Sequence, residues 1–142
     1  MAVTNFQGAL RTYILADSTV SGLIGQRLYA YPAPQGVSQP YAILHKIDFV
    51  TENNMASFDE VVKERWQIDI YSTHVDILHS VRNAIFDRLH LKAYESWSDY
   101  KVYLCSHVGE NTFDEPIREG TQDVYHRVSM DYMIKRSYEP IT

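Results

Sequence analysis

The sequence predicts an α+β domain in which an antiparallel β-sheet of about four to five strands packs against an N-terminal helix pair and one long central helix. Three observations lead to this class. Apolar residues recur at spacings of three and four near the N-terminus and again in the middle of the chain, which is typical of helices. Most of the remaining apolar residues alternate with polar ones, which is typical of half-buried strands. The length of 142 residues fits a single domain spanning residues 1–142.

The N-terminal helix pair is predicted by apolar spacing and by capping residues. The first helix has a buried face formed by Phe6, Ala9, Leu10, Tyr13 and Ile14, with Asn5 or Thr4 as its cap. A shorter helix follows, capped by Asp17 or Ser18, and Gly25 suits the left-handed position that ends it. We therefore expect a helical hairpin or a bent helix.

An extended segment and the first hairpin follow. Residues 27–31 are predicted to be extended, and the prolines and glycine of residues 32–40 predict an irregular but stiffened excursion. Strict alternation predicts a strand over residues 41–50 and another around Trp66, Ile68 and Ile70. The polar residues 51–60 between them predict a turn.

The central helix is the most strongly patterned element. Thr73 and Asp76 resemble a capping box, with Asp in place of Glu or Gln. The helix that follows has an apolar stripe formed by Val75, Leu78, Val81, Ile85 and Leu89. A second hairpin is predicted from strands over residues 100–108 and 124–135, with a loop over residues 109–123 between them.

Composition excludes several classes of protein. No apolar run approaches the roughly 20 residues of a membrane span, and the N-terminus lacks the pattern of a secretion signal. Cys105, the single cysteine, cannot form an intrachain disulfide, and its place in a strand pattern predicts a small buried hydrophobe. The net charge of -5, with the 13 basic residues scattered, argues against a duplex-DNA-binding protein.

Catalytic and cofactor motifs are not found in the sequence. There is no CxxC, HExxH, GxSxG or glycine-rich phosphate loop, so no cofactor is expected. His45 and His126 fall on predicted strands and could meet in space to hold a metal, but packed or surface histidines are the more ordinary explanation. Asp69 and Asp131 are explained as polar positions of a half-exposed sheet.

Tyrosines are abundant, with 11 in the chain, and several lie in or beside predicted strands. Aromatic side chains pack well across a sheet, and they are also enriched at contacts between subunits. Both roles stay open at this point.

The order of motifs resembles the phage tail-completion, or head-tail joining, family. The segments are LADSTVSGLIGQRLYA, PAPQGVSQPYAIL, ERWQIDIYS, VDILHSVRNAIFDRL and DVYHRVSMDYMI, which together cover nearly the whole chain. The positions that match the family pattern are Arg27, Tyr29, Pro34, Gln35, Gly36, Pro40, Tyr41, Arg65, Gln67, Asp69 and Arg127.

This resemblance implies a non-enzymatic virion protein that forms a ring, typically sixfold, caps the finished tail tube and joins tail to head. The implied partners are other copies of the chain, the tail tube protein and the head connector or neck protein. DNA would pass through the lumen without specific binding, and assembly would take place in the bacterial host cytoplasm.

Two groups of residues are candidates for contacts. The stiffened segment and its flanking strands suggest an interface arm or a brace, formed by Arg27, Tyr29, Tyr31, Pro34, Gln35, Pro40 and Tyr41. The two predicted hairpin loops are acidic and are expected to line the lumen or to dock on a partner, through Glu52, Asp59, Glu60, Glu110, Asp114, Glu115, Glu119 and Asp123.

Three kinds of alternative stay open. The chain could be a neck or head-completion protein of the connector, whose α+β domains look similar. It could be a small metal-dependent enzyme built around His45 and His126, or a generic protein-binding module such as a chaperone or immunity factor. Metal content and oligomeric mass would separate these classes.

Overall fold

A computed structural model describes residues 5–30, 34, 36, 39–53, 60–116 and 124–140 of the chain. The described elements are three helices and six strands. In chain order they are α1 (Phe6–Leu15), α2 (Ser18–Ile24), β1 (Leu28–Ala30), β2 (Tyr41–Asn53), β3 (Glu60–Ser72), α3 (Val75–Leu89), β4 (Lys92–Trp97), β5 (Tyr100–Pro116) and β6 (Val124–Ser137).

The strands form one sheet in the order β1-β2-β3-β6-β5-β4. All neighbours are antiparallel except β1, which runs parallel to β2 and pairs with it over Ala42 to Leu44. The predicted α+β class is confirmed, but the strand number of four to five was wrong. β4 was not predicted from the sequence, and neither was the parallel pairing of β1 with β2.

The two hairpins are longer than predicted. β2 extends to Asn53 and β3 begins at Glu60, so the two strands include both ends of the predicted turn over residues 51–60. β5 continues to Pro116, which makes a strand of much of the predicted loop over residues 109–123. The physical reason is pairing, because each extended end finds its backbone partners on the neighbouring strand even where the side chains are polar.

The helix ends follow the predicted chemistry at α1 and α2. The Asn5 side chain accepts a hydrogen bond from the Gly8 N–H (2.7 Å), and Asp17 accepts from the N–H groups of Thr19 and Val20. Gly25 ends α2 with a φ of 60°.

The start of α3 differs from the prediction. Its N-cap is His74, whose side chain makes no capping hydrogen bond, so the capping box expected at Thr73 and Asp76 was wrong. The His74 N–H donates instead to the Ser72 hydroxyl (3.0 Å). This bond fixes the turn by which β3 leads into α3.

One core lies between the sheet and the helices. Its sheet side is formed by residues such as Leu44, Ile68 and Met130, and its helix side by the buried stripes of α1, α2 and α3. Cys105 lies in this core without exposed surface, as predicted, and burial raises the pKa of its thiol well above the usual range. No described helix has the length and apolar character needed to cross a membrane. The described helices all pack against this one face of the sheet.

Candidate functional site

Arg27 braces the two ends of the proline-containing segment. Its Nε donates to the carbonyl oxygen of Pro40 (2.8 Å), and its own carbonyl accepts from the Ala42 N–H (3.0 Å). Its Nη2 also lies 3.5 Å from the Leu23 carbonyl oxygen. The guanidinium thus ties the end of α2 and the start of β2 together, which favours the brace over the arm for this residue.

The other predicted interface residues are distributed around this brace. Tyr29 is half-buried on β1 opposite Ile43, and Pro34 is exposed. Tyr41 is half-buried at the start of β2 and stacks on Tyr71 with ring centroids 5.0 Å apart. Tyr31 and Gln35 lie outside the described residues.

The face of the sheet opposite the helices is polar and aromatic. Next to the Tyr41–Tyr71 stack, the Arg127 guanidinium lies 5.9 Å from the Tyr71 ring and 4.3 Å from the Phe113 ring. Further along the same face, Arg65 donates to Asp131 through Nε (3.1 Å) and Nη2 (2.6 Å). Five positions that carry the family resemblance therefore share this surface: Tyr41, Arg65, Gln67, Asp69 and Arg127.

A buried polar cluster also lies on this face. Asp69 and Ser129 are 6% and 3% exposed, and the Ser129 hydroxyl donates to Asp69 Oδ1. His45 Nε2 lies 3.5 Å from Asp69 Oδ2. A serine nucleophile needs a base within hydrogen-bond reach, and here the serine hydroxyl is directed to the carboxylate instead of the imidazole. The arrangement is that of a satisfied polar network.

The two histidines considered for a metal site do not meet. His45 pairs with Gln67 on β3, whereas His126 lies on β6 opposite Ser72 and contacts Asp114 through Nδ1 (2.7 Å). Within the part of the chain that the structure describes, no three or more His, Cys, Asp or Glu side chains are grouped so as to hold a metal ion.

Two of the predicted acidic loop residues lie on β5 and have partners. Glu110 accepts from Arg82 Nη2 (2.5 Å) and lies 2.9 Å from His107 Nε2. The Arg82 guanidinium holds the pKa of Glu110 below its usual range, although partial burial opposes the shift. Asp114, with its side chain 65% exposed, contacts His126. The expectation that these two residues lie in a loop was wrong, because both lie on β5; their role in the lumen or in docking stays a prediction.

The remaining predicted acids are placed only in part. Glu52 is on β2, Glu60 on β3 and Glu115 on β5, near the tips of the two hairpins. Asp59, Glu119 and Asp123 lie outside the described residues. The β2–β3 tip and the β5–β6 tip lie at opposite ends of the sheet, because β3 pairs with β6 from Val61–Ser137 to Ser72–His126.

A buried ion pair was missed by the sequence analysis. Arg136 Nε donates to Glu64 Oε1 (2.6 Å), and both side chains are almost fully buried. They line a cavity of about 470 Å³ at the end of the sheet where β2 meets β3, together with Phe6, Trp66 and Tyr100. The only sequence signal was that Glu64 falls in phase with Trp66, on the buried face of its strand.

Comparisons with known proteins agree with this fold. The family model described as "Tail completion protein gp17" matches residues 8–134. A solved structure titled "Virion of native gene transfer agent (GTA) particle" matches with a TM-score of 0.69 at 14% sequence identity, covering 92% of this chain and 93% of that chain. The search of curated proteins finds no match. Since the family model spans most of the described sheet and helices, the chain belongs to the phage tail-completion protein family.

Proposed function

We propose that this protein is the tail terminator, a structural virion subunit that forms a ring on the finished tail tube and joins the tail to the head. The observation that carries the proposal is the match of the tail-completion family model to residues 8–134. The fold shared with a chain of a gene transfer agent virion supports a place in a virion. The buried Ser129 hydroxyl donates to Asp69, which lies beside His45, and this arrangement is that of a structural network.

The ring is proposed to be hexameric, with the tail tube protein on one side and the head connector or neck protein on the other. The two hairpin tips are proposed to have different roles, since they lie at opposite ends of the sheet. Acids near the β5–β6 tip, from Asp114 to Asp123, are proposed to line the lumen, where like charge limits adhesion of passing DNA. The tip formed by β2 and β3 is then proposed to dock on a partner.

The test is an electron-microscope comparison of particles made with and without this protein. A terminator is expected to leave overlong or headless tails when it is missing, because nothing then stops tube growth or provides the surface for the head. Resupplying the wild-type chain in trans should restore tails of uniform length. Tails of normal length beside empty or DNA-leaking heads would instead identify a neck or head-completion protein and overturn the proposal.

A further inference from the structure

Besides the terminal strands β1 and β4, two longer stretches of strand have no neighbour on one side within the described part of the chain. β1 pairs with β2 only as far as Leu44, so β2 has no strand beside it from Lys46 to Asn53, although the Phe49 N–H there donates to Asp48 Oδ1 (2.8 Å). β4 pairs with β5 only as far as Cys105, and the next edge N–H, that of His107, donates to His90 Nδ1 (3.1 Å). From residue 108 to residue 116, β5 is open as well.

These two open edges lie on opposite sides of the sheet and at opposite ends of it. The open part of β2 is beside the end of β3 that pairs with Ser137, and the open part of β5 is beside the start of β6 at Val124. β2 and β5 run in opposite directions, since the three steps from β2 through β3 and β6 to β5 are all antiparallel. A second copy in the same orientation would therefore present its β2 edge antiparallel to the β5 edge of the first.

Both edges carry apolar side chains that water now contacts. On β2, Ile47 is 52% exposed, Phe49 39% and Val50 49%. On β5, Val108 is 47% exposed and Phe113 39%. Long open edges with apolar side chains are templates for pairing with another chain, and monomeric proteins usually protect them with charges, prolines, β-bulges or a covering segment. Each edge here begins at a register shift, at Lys46/Asp48 and at His107/Gly109, and the apolar side chains lie beyond or at it. A neighbouring chain that pairs with either of these edges would gain both backbone hydrogen bonds and apolar contacts.

We propose that residues 46–53 of one copy pair, as antiparallel strands, with residues 108–116 of the next copy, so that the ring is closed by a sheet continuous from subunit to subunit. The inference rests on the ring proposed above and specifies its contact. Because the two edges are offset along the strands, each copy is shifted relative to its neighbour, and the strands are inclined to the axis of the closed ring, as in a barrel.

A second copy is the occupant that satisfies both edges at once. Pairing of β2 with β2, or of β5 with β5, gives a two-fold contact that ends at a dimer and leaves the other edge open in every chain. Head-to-tail pairing uses one edge of each kind at every contact and leaves neither of these two stretches open when the ring closes. The opposite placement of the two edges fits this second geometry.

The test uses three matched substitutions, Val50→Lys on the β2 edge, Val108→Lys on the β5 edge and Val75→Lys at the start of α3. The three valines are similarly exposed, at 49%, 47% and 44%, so the cost of the new charge to the folded monomer is comparable. Lysine is a side chain that natural edge strands use against pairing. Each variant is coexpressed with the tail tube protein, and the mass of the assembly is measured by sedimentation velocity and native mass spectrometry.

We expect both edge variants to lose the ring, with the subunit dissociation constant raised about tenfold or more, which is the effect of losing one well-placed interface side chain. Val75→Lys should assemble as wild type. Circular dichroism and thermal melting of each variant establish that the monomer is folded, so that loss of assembly is separated from misfolding.

Mixing the two edge variants gives a sharper result. The Val50→Lys chain keeps an intact β5 edge and the Val108→Lys chain keeps an intact β2 edge, so an equimolar mixture should form a heterodimer and stop there. If the wild-type chain forms rings and the edge variants also form them, the proposed edge pairing is wrong, whereas the proposal of a ring is not contradicted. Edge variants that are monomeric alone and also when mixed would show that the contact is not head-to-tail. A wild-type chain that stays monomeric with the tube protein would overturn the ring itself.

Discussion

The Glu64 carboxylate is held in place by a few neighbouring side chains. Its Oε1 accepts from Arg136 Nε (2.6 Å) and from the Trp66 indole N–H (3.3 Å). Its Oε2 has no hydrogen bond among the described residues and lies 3.7 Å from Lys46 Nζ. Arg136 in turn lies over the Phe6 ring (4.3 Å), so the pair joins the start of α1 to β3 and β6.

Arg136→Met should lower the free energy of unfolding by about 3 to 5 kcal/mol, because it leaves Glu64 charged and buried without its main partner. Urea denaturation near neutral pH measures the loss. The double variant Arg136→Met with Glu64→Gln should recover at least half of it, since the uncompensated charge is gone. Lys101→Met, at a half-exposed surface cation, is the control and should cost less than about 1 kcal/mol. A double variant as unstable as the single one would show that packing, not charge pairing, is lost.

The contact between α3 and β5 depends on a surface clamp. Arg82 on α3 donates to Glu110 on β5, and the Arg82 guanidinium also lies 4.6 Å from the Phe86 ring. The guanidinium lowers the pKa of Glu110 from its usual value of 4.5, so the folded state binds the carboxylate proton more weakly than the unfolded state does. The stabilisation is therefore present above the unfolded pKa and is lost as pH falls through the lower folded pKa.

Glu110→Gln should lower the free energy of unfolding by about 1 kcal/mol near neutral pH, as expected for a partly exposed ion pair with good geometry. The difference between wild type and variant should shrink towards zero as the pH is lowered below 4.5, where wild-type Glu110 becomes protonated too. Urea unfolding across an acid pH series tests this. Asp87→Asn, an exposed acid on α3, is the matched control. A difference that does not depend on pH would show that Glu110 acts through its shape alone.

Elements with a periodic apolar stripe were predictable, and elements created by pairing were not. α3 was predicted because its buried face repeats at helical spacing over its whole length. β4 was missed because, of its side chains, only Trp97 is buried and its backbone is left-handed at Tyr94 (φ 54°). Its pairing with β5 decides its conformation, and the local sequence does not carry that information.

The same distinction explains which contacts of the candidate site could be predicted from the sequence. The Arg27 brace links positions 13 residues apart within one motif, so the segment could be singled out from the sequence. The Glu64–Arg136 pair links positions 72 residues apart, and neither residue carries a pattern that points to the other. Glu110 and Asp114 were placed in a loop because polar strand ends have no apolar alternation.

In the proposed ring, the charge of the lumen is expected to affect the passage of DNA. The chain has a net charge of -5, and residues 114–123 contain four acids, of which Asp114 and Glu115 lie on β5 outside the Arg82 clamp. If the β5–β6 tip lines the lumen, replacing Asp114, Glu115, Glu119 and Asp123 with Ser should slow DNA delivery and leave tail length unchanged. Infection efficiency and electron micrographs of the same particles measure the two effects. Replacing Glu52, Asp59 and Glu60 at the other tip is the comparison. Unchanged delivery in the four-Ser variant would exclude a role of these acids in the lumen.

The buried thiol of Cys105 has a practical consequence for following assembly. It is the single cysteine of the chain, it is 0% exposed, and burial raises its pKa, so the reactive thiolate is disfavoured. A cysteine introduced at an exposed position of α3 such as His79 would be the one thiol open to a maleimide dye in the folded protein. Fluorescence could then report on subunit exchange in real time.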